Sequence, residues 1–271
     1  MNRKIPLLFA VAAFLIAFCL SAGCVDDTPT REEVLRDTID SLTDRLNTTT
    51  QEAQLAADLF IENPTADNGR QVLATLYQRT SLTHDLLIAD DRGIVQAVYP
   101  DNIHGALGSN LSSYPPDKET FLHQDVYVSP FMQLENGMEA YLLSVPVEIG
   151  GEYAGYISLS FDPYRLFGAE QQKISEDGYN LWVMQTDGVQ VYDPDVSEAG
   201  VNLLTNPDYA SVLDMTTLVA STPSGETTYL YTADTGTGTV SKTAVWDTLT
   251  FGGRSWRVVL TESGQVSPGQ N

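Results

Sequence analysis

The chain has 271 residues, with 36 acidic side chains against 14 basic ones and a formal net charge of −22. Such a surface repels nucleic acid and anionic lipid at long range, and it suits a solvated protein in a salty medium. The two cysteines, Cys19 and Cys24, lie close to the N-terminus, so the body that follows has no internal disulfide and must be held by its core.

Asn2, Arg3 and Lys4 make a short basic start, and Ile5 to Ala22 carries no charge. Basic residues, an apolar run and small residues before a cleavage point are the parts of an export signal. Ser21, Ala22 and Gly23 lead into Cys24, an arrangement that resembles the lipobox of lipoproteins. One position departs from it, because Leu20 stands four residues before the cysteine and Ser21 occupies the place usually held by leucine. The resemblance implies that the Cys24 thiol is lipidated and that Cys24 becomes the new N-terminus. The other reading is an uncleaved membrane helix, since the apolar run is just long enough to span a bilayer. Both readings put the body outside the cytoplasm, at the cell membrane. No later stretch approaches the length of a span, so neither a second crossing nor a cytoplasmic output domain is expected.

After a polar linker, Thr30 and Glu33 form a capping box that opens a helix. Leu35, Ile39, Leu42, Leu46, Thr49, Ala53, Ala56 and Phe60 then alternate in steps of four and three, one buried stripe on a long helix. The alanines thin that seam, which favours packing on its own body over a coiled-coil dimer. Asn63-Pro64 breaks it, and a second amphipathic helix is predicted from Asp67 to Arg79. Strands follow at His84 to Ala89 and Ile94 to Tyr99 around an Asp-Asp-Arg-Gly turn. A loop runs to a short helix at Lys118 to His123. Three strands close the unit at Val126 to Met132, Met138 to Ile149 and Tyr153 to Phe161.

The order then repeats. A hairpin at Tyr179 to Tyr192 turns on Asp187-Gly188, and Gly200-Val201-Asn202-Leu203 echoes Gly108-Ser109-Asn110-Leu111. A helix at Pro207 to Leu218 precedes strands at Glu226 to Ala233, Val240 to Phe251 and Arg254 to Glu262. Gly252-Gly253 stands where Gly150-Gly151 stood. The predicted fold class is α+β, a long N-terminal helix followed by two modules, each an antiparallel sheet with helices on one side. The boundaries are 1–24 for the signal or anchor, 25–62 for linker and helix, 63–173 and 174–262 for the modules, and 263–271 for a flexible tail.

Leu87-Ile88-Ala89-Asp90-Asp91-Arg92-Gly93-Ile94-Val95, Tyr127-Val128-Ser129-Pro130, Val145-Pro146-Val147 and Tyr153-Ala154-Gly155-Tyr156-Ile157 carry a resemblance to a known family. They resemble the strands and turns of the double Cache family of extracytoplasmic sensors, over roughly residues 31 to 262, which implies one long N-terminal helix followed by two PAS-like (Cache) modules with antiparallel sheets. That resemblance implies a small ligand held by the first, membrane-distal module, between its sheet and the loop with the short helix. Of the residues with which one branch of the family grips amino acids, only Asp162 is matched. Phe131 stands where a tyrosine is expected, and the stretch from Tyr114 to Phe121 lacks the arginine and tryptophan.

A small-ligand pocket needs an apolar wall and a few convergent polar groups. The candidates are Tyr99, Tyr114, His123, Tyr127, Tyr141 and Asp162, with Ser144. Tyr141 and Ser144 are three apart on one strand and so face opposite ways, which leaves at most one of them for a pocket. Tyr127 equally fits a half-buried strand aromatic. Asp162 equally fits a cap for a helix starting at Pro163, and His123 a cation at a helix C-terminus.

No nucleophile elbow, zinc-protease helix or phosphate loop is present, and His84, His104 and His123 lack ligand spacing, so neither catalysis, a metal nor a cofactor is expected. Asp193-x-Asp195-x-x-Glu198 has oxygen donors but lacks the glycine and final glutamate of a calcium loop, and reads as a turn. Asn47-Thr48-Thr49 and Asn110-Leu111-Ser112 are sequons, used only in a glycosylating host. The expected function is extracytoplasmic capture of a small organic metabolite by a membrane-anchored sensor without its own output domain. It would report to a separate membrane signalling protein or act as a surface binder. The alternative is a cell-surface structural or interaction module without a small-molecule ligand.

Overall fold

The computed structural model describes residues 29–114, 124–134, 137–232 and 239–266. Cys24, His123 and the short helix expected at Lys118 to His123 lie outside the described residues. Every element below belongs to one compact unit that begins at Arg31. Among the described residues no helix is long and apolar enough to cross a membrane.

Helix α1 (Arg31–Glu62) follows the predicted stripe. Leu42, Leu46 and Ala53 are fully buried, and threonines at 38, 43, 49 and 50 bond back to carbonyls four residues earlier. Its first turn carries Glu32 and Glu33, favourable at a helix N-terminus. Arg31 pairs with Glu226 at 2.7 Å and Glu262 at 3.1 Å. Pro64 disfavours helical backbone in the residue before it, and α1 stops at Glu62. Helix α2 (Ala66–Arg79) begins at Thr65, whose side chain accepts from the Asn68 amide.

Strands β1 (Thr83–Asp90), β2 (Val95–Tyr99), β3 (Tyr127–Val128), β4 (Met132–Gln133), β5 (Glu139–Ile149) and β6 (Glu152–Phe161) form the first sheet. Its order is β2-β1-β6-β5-β3, with β4 also pairing β5. The strand expected at Val126 to Met132 is split, because Pro130 has no N–H for a ladder. Ser129 instead ties the break to β5, its amide donating to the Leu142 carbonyl while its Oγ accepts from the Leu142 amide.

Helix α3 (Pro163–Ile174) leads to β7 (Tyr179–Gln185), β8 (Gln190–Tyr192), α4 (Leu213–Ser221), β9 (Gly225–Thr232), β10 (Thr239–Phe251) and β11 (Arg254–Val266). The second sheet has the order β8-β7-β11-β10-β9, the topology of the first repeated. Both meanders turn on the predicted glycine pairs, with φ of +64° and +84° at Gly150 and Gly151 and +52° and +76° at Gly252 and Gly253. Side chains are disfavoured there, and such turns match strand twist. The last strand runs on to Val266, through residues expected in a flexible tail.

Each sheet has an inner face against α1. One apolar cluster joins Leu42 and Leu46 of α1 to Leu143, Ile157 and Phe161 of the first sheet and to Leu181, Trp256 and Val258 of the second. The helix is thus the shared spine of both cores. A smaller cluster around Trp182, Val219 and Trp246 covers part of the outer face of the second sheet beneath α4.

Beneath the spine, Glu170 of α3 is buried. Lys173 Nζ reaches it at 2.9 Å, Ser41 donates to it at 3.0 Å, and Arg45 stands 3.9 Å away. Arg45 also donates to the carbonyls of Leu166 and Arg165, pinning α3 to α1.

Candidate functional site

Strand alternation assigns the residues of the first sheet to two faces. Leu86, Ile88, Tyr141, Leu143, Val145, Ile157, Leu159 and Phe161 belong to the inner cluster. The opposite set is chemically different. Across the outer face one row reads Leu87, Ser158, Ser144, Tyr127, each paired with the next. The neighbouring row pairs Asp85, Ser160 and Leu142. Ser144, Ser158 and Ser160 are 2%, 4% and 1% exposed, so these hydroxyls are withdrawn from bulk water. Buried polar groups persist where something satisfies them.

Asp85 is the charged member of this face. The Ser160 hydroxyl donates to its Oδ1 at 2.5 Å, and the Asp85 amide donates back to Ser160 Oγ at 3.1 Å. Burial pushes its carboxyl above the usual range, against the opposing pull of the Ser160 bond and of His84. At the same end of the sheet, His84 Nε2 lies 3.4 Å from Asp162 Oδ2. Asp162 Oδ1 accepts from the Tyr164 amide at 2.7 Å, which makes Asp162 the N-cap of α3.

The sequence candidates separate accordingly. Tyr127 is on the outer face beside Ser144, and its hydroxyl accepts from Arg254 Nη2 at 3.3 Å. Tyr114 lies in the loop after Asn110, its amide bonded to the Leu111 carbonyl. Tyr99 pairs with Leu86 and sets its ring edge-on to Tyr77 of α2, 5.2 Å away, on the helix side. Tyr141 is likewise on the inner side. It is fully buried, and its hydroxyl is engaged by Trp256 of the second sheet. These two are not brought together with Tyr127, because their parity along the strands is the wrong one. Asp85, Ser158 and Ser160 were missed. Their signal was two serines two apart in an otherwise apolar strand, opposite a third in the next strand.

The second sheet shows what the same position does when it is filled. The row matching Leu87, Ser158, Ser144, Tyr127 is Trp182, Val259, Trp246, Gly225. The bridges Ile94 to Asn110 and Val189 to Asn202 set this equivalence. A Cβ on Gly225 would come within 2.5 Å of the Trp246 ring, so the glycine is what lets the indole lie there. The serines at 158 and 144 thus correspond to Val259 and Trp246 in the second module, and Tyr127 to the glycine that admits the indole.

A long helix backing two sheets of repeated topology is the double Cache fold that the sequence resemblance implied. Residues 39–163 match the family described as HK/GC/chemotaxis protein-like, sensor domain. Among solved structures, an extracellular ligand binding receptor from Desulfohalobium retbaense superposes with a TM-score of 0.68 at 21% identity, over 85% of this chain and 40% of that one. This chain therefore spans about two-fifths of that receptor's length. The ligand-binding domain of the Pseudomonas aeruginosa amino acid chemoreceptor PctB, in complex with L-Arg, gives 0.63 at 10% identity, over 86% and 93% of the two chains. That of Pseudomonas fluorescens CtaA with L-isoleucine gives 0.61 at 15% identity, over 94% of each. No curated protein sequence matches this one.

Proposed function

We propose that this chain is a membrane-anchored extracytoplasmic sensor whose first module captures a small organic metabolite on its outer sheet face and reports it to a separate membrane protein. The observation that carries the reading is the row Ser158, Ser144, Tyr127 beside the Asp85–Ser160 pair. A row built only for packing would hold apolar residues, as the matching row of the second module does with Trp246 and Val259. Hydroxyls and one carboxylate beside Leu87 and Tyr156 give the mix of apolar wall and few polar groups that small ligands require. The related domains bound to L-Arg and L-isoleucine favour amino acids or similar compounds as the class to try first. The missing arginine and tryptophan mean that any such ligand would be gripped differently here. Cys24 or the uncleaved apolar stretch supplies the tether in this reading.

The test is a melting screen of the detergent-solubilised full chain, read by tryptophan fluorescence, against organic acids, amines, amino acids and sugars. A ligand at 100 times its Kd adds about 2.7 kcal/mol, a rise of several degrees. Ser158→Trp should abolish the rise by filling the face with an indole beside Ser144, the position that Trp246 occupies in the second module. A screen without any shift, or a shift that survives Ser158→Trp, would overturn the reading.

A further inference from the structure

The second module has a cavity of its own. It measures about 370 Å³ and lies on the sheet face away from α1, between β7, β9 and β10 and the segment from Asp193 to Thr216. That volume is in the range of small-ligand sites. Aromatic rings wall it, Trp182 from β7, Tyr229 and Tyr231 from β9, and Tyr209 from the 3-10 turn Pro207–Val212.

Carboxylates face the same space. Asp193 Oδ2 accepts from Gln190 Nε2 and Oδ1 from the Asp195 amide, both at 2.9 Å, while the Tyr209 hydroxyl donates to Glu198. These bonds fix the acids in place, and the three lining carboxylates, Asp193, Asp195 and Glu198, outnumber the single lysine, Lys242. Burial, reinforced by the nearby Glu198 and Asp195, pushes the Asp193 carboxyl up to about 6. Among the described lining residues Lys242 alone is cationic, and its Nζ stands 4.4 Å above the Tyr231 ring. The cavity therefore already holds one ammonium against an aromatic face, the arrangement ring quadrupoles favour.

We propose that this cavity binds a small organic ammonium ion, with its charge between the tyrosine rings and the Asp193 and Glu198 carboxylates. Rings attract a cation without hydrating it, and fixed carboxylates neutralise it, so a primary or methylated amine fits where an anion would be repelled. The site lies in the other module from the metabolite face and stands or falls independently of it.

Calorimetric titration of the detergent-solubilised full chain tests this. The probes are choline, putrescine, and the uncharged alcohol in which carbon replaces the choline nitrogen. At least one ammonium ion should bind, and the uncharged alcohol should bind at least about tenfold more weakly than choline or putrescine. Asp193→Asn and Tyr229→Leu should each weaken binding about tenfold, with melting curves recorded to show that each variant folds. Glu198→Gln takes the place of a variant that does not. Ser158→Trp in the first module should leave the affinity unchanged. Failure of both ammonium ions to bind, equal binding of the alcohol, or binding lost in Ser158→Trp yet kept in Asp193→Asn would each overturn the proposal.

Discussion

The indole N–H of Trp256 donates to the hydroxyl of Tyr141 at 2.7 Å, with the two rings edge to face at 5.4 Å. Tyr141 is on the first sheet and Trp256 on the second, so this contact joins the modules through their inner faces. Tyr141 in turn donates to Gln185 Oε1 at 3.2 Å. Beside it the Val128 amide donates to the Gly252 carbonyl at 2.8 Å, and Arg254 Nε donates to the Val128 carbonyl. Burial pushes the Tyr141 hydroxyl well above its usual range, which keeps it a neutral donor and acceptor.

Tyr141→Phe leaves the Trp256 N–H buried without its acceptor and should cost about 1–3 kcal/mol in urea unfolding. Trp256→Phe should cost a similar amount. The double variant should lose less than the sum, by about 0.5–1.5 kcal/mol of coupling. Strict additivity would mean that the contact does not join the modules energetically.

Because α1 serves both cores, Leu46→Ala should weaken both at once. Leu46 is fully buried, and removing such a side chain costs about 2–5 kcal/mol. A single unfolding transition shifted as a whole is expected in calorimetry. Two transitions with only one displaced would show that the modules melt separately.

Arg45→Met removes a guanidinium that stands by the buried Glu170 and holds two carbonyls of α3. Burial already lowers the Arg45 pKa against the pull of Glu170. Lys173 and Ser41 remain, so the loss should be about 2 kcal/mol, short of that for an ion left wholly unpaired. No change in the denaturation midpoint would assign Glu170 to Lys173 alone.

Asp193 carries a pH signature. Its carboxyl is raised from 3.8 to about 6 by burial, so the folded chain holds this proton more tightly than the unfolded one. The stability it contributes is full below pH 3.8 and is lost as pH rises through 6. Asp193→Asn stays neutral, so its melting temperature should gain on the parent between pH 4 and pH 8. Its partial exposure reduces the effect to about 1 kcal/mol, roughly 2–4 °C. A pH-independent difference would place the carboxylate in ordinary solvent.

Much of the fold could be read from periodicity. The stripe from Leu35 to Phe60 is regular because a single helical face meets two sheets, and the glycine pairs mark the turns that need positive φ. The split at Ser129-Pro130 was hidden because the flanking residues, Tyr127, Val128, Phe131 and Met132, all favour strands. The site was read less well. Spacing places Tyr141 and Ser144 on opposite faces, but parity alone does not say which face the helices cover, and Tyr99 turns out to lie on the helix side with Tyr141. Ser158 and Ser160 look like filler until Ser144 and Asp85 are seen beside them. The second cavity gathers Trp182, Asp193, Tyr209 and Tyr229 from separate elements, a convergence that no local pattern records.

Arg31 adds a mechanical consequence. Its guanidinium clips the first turn of α1 to Glu226 on β9 and Glu262 on β11, so tension on the chain ahead of it loads the second sheet before the first. A strain arriving from either end would travel along one stiff rod, and the Tyr141–Trp256 joint would be where the two halves feel it together.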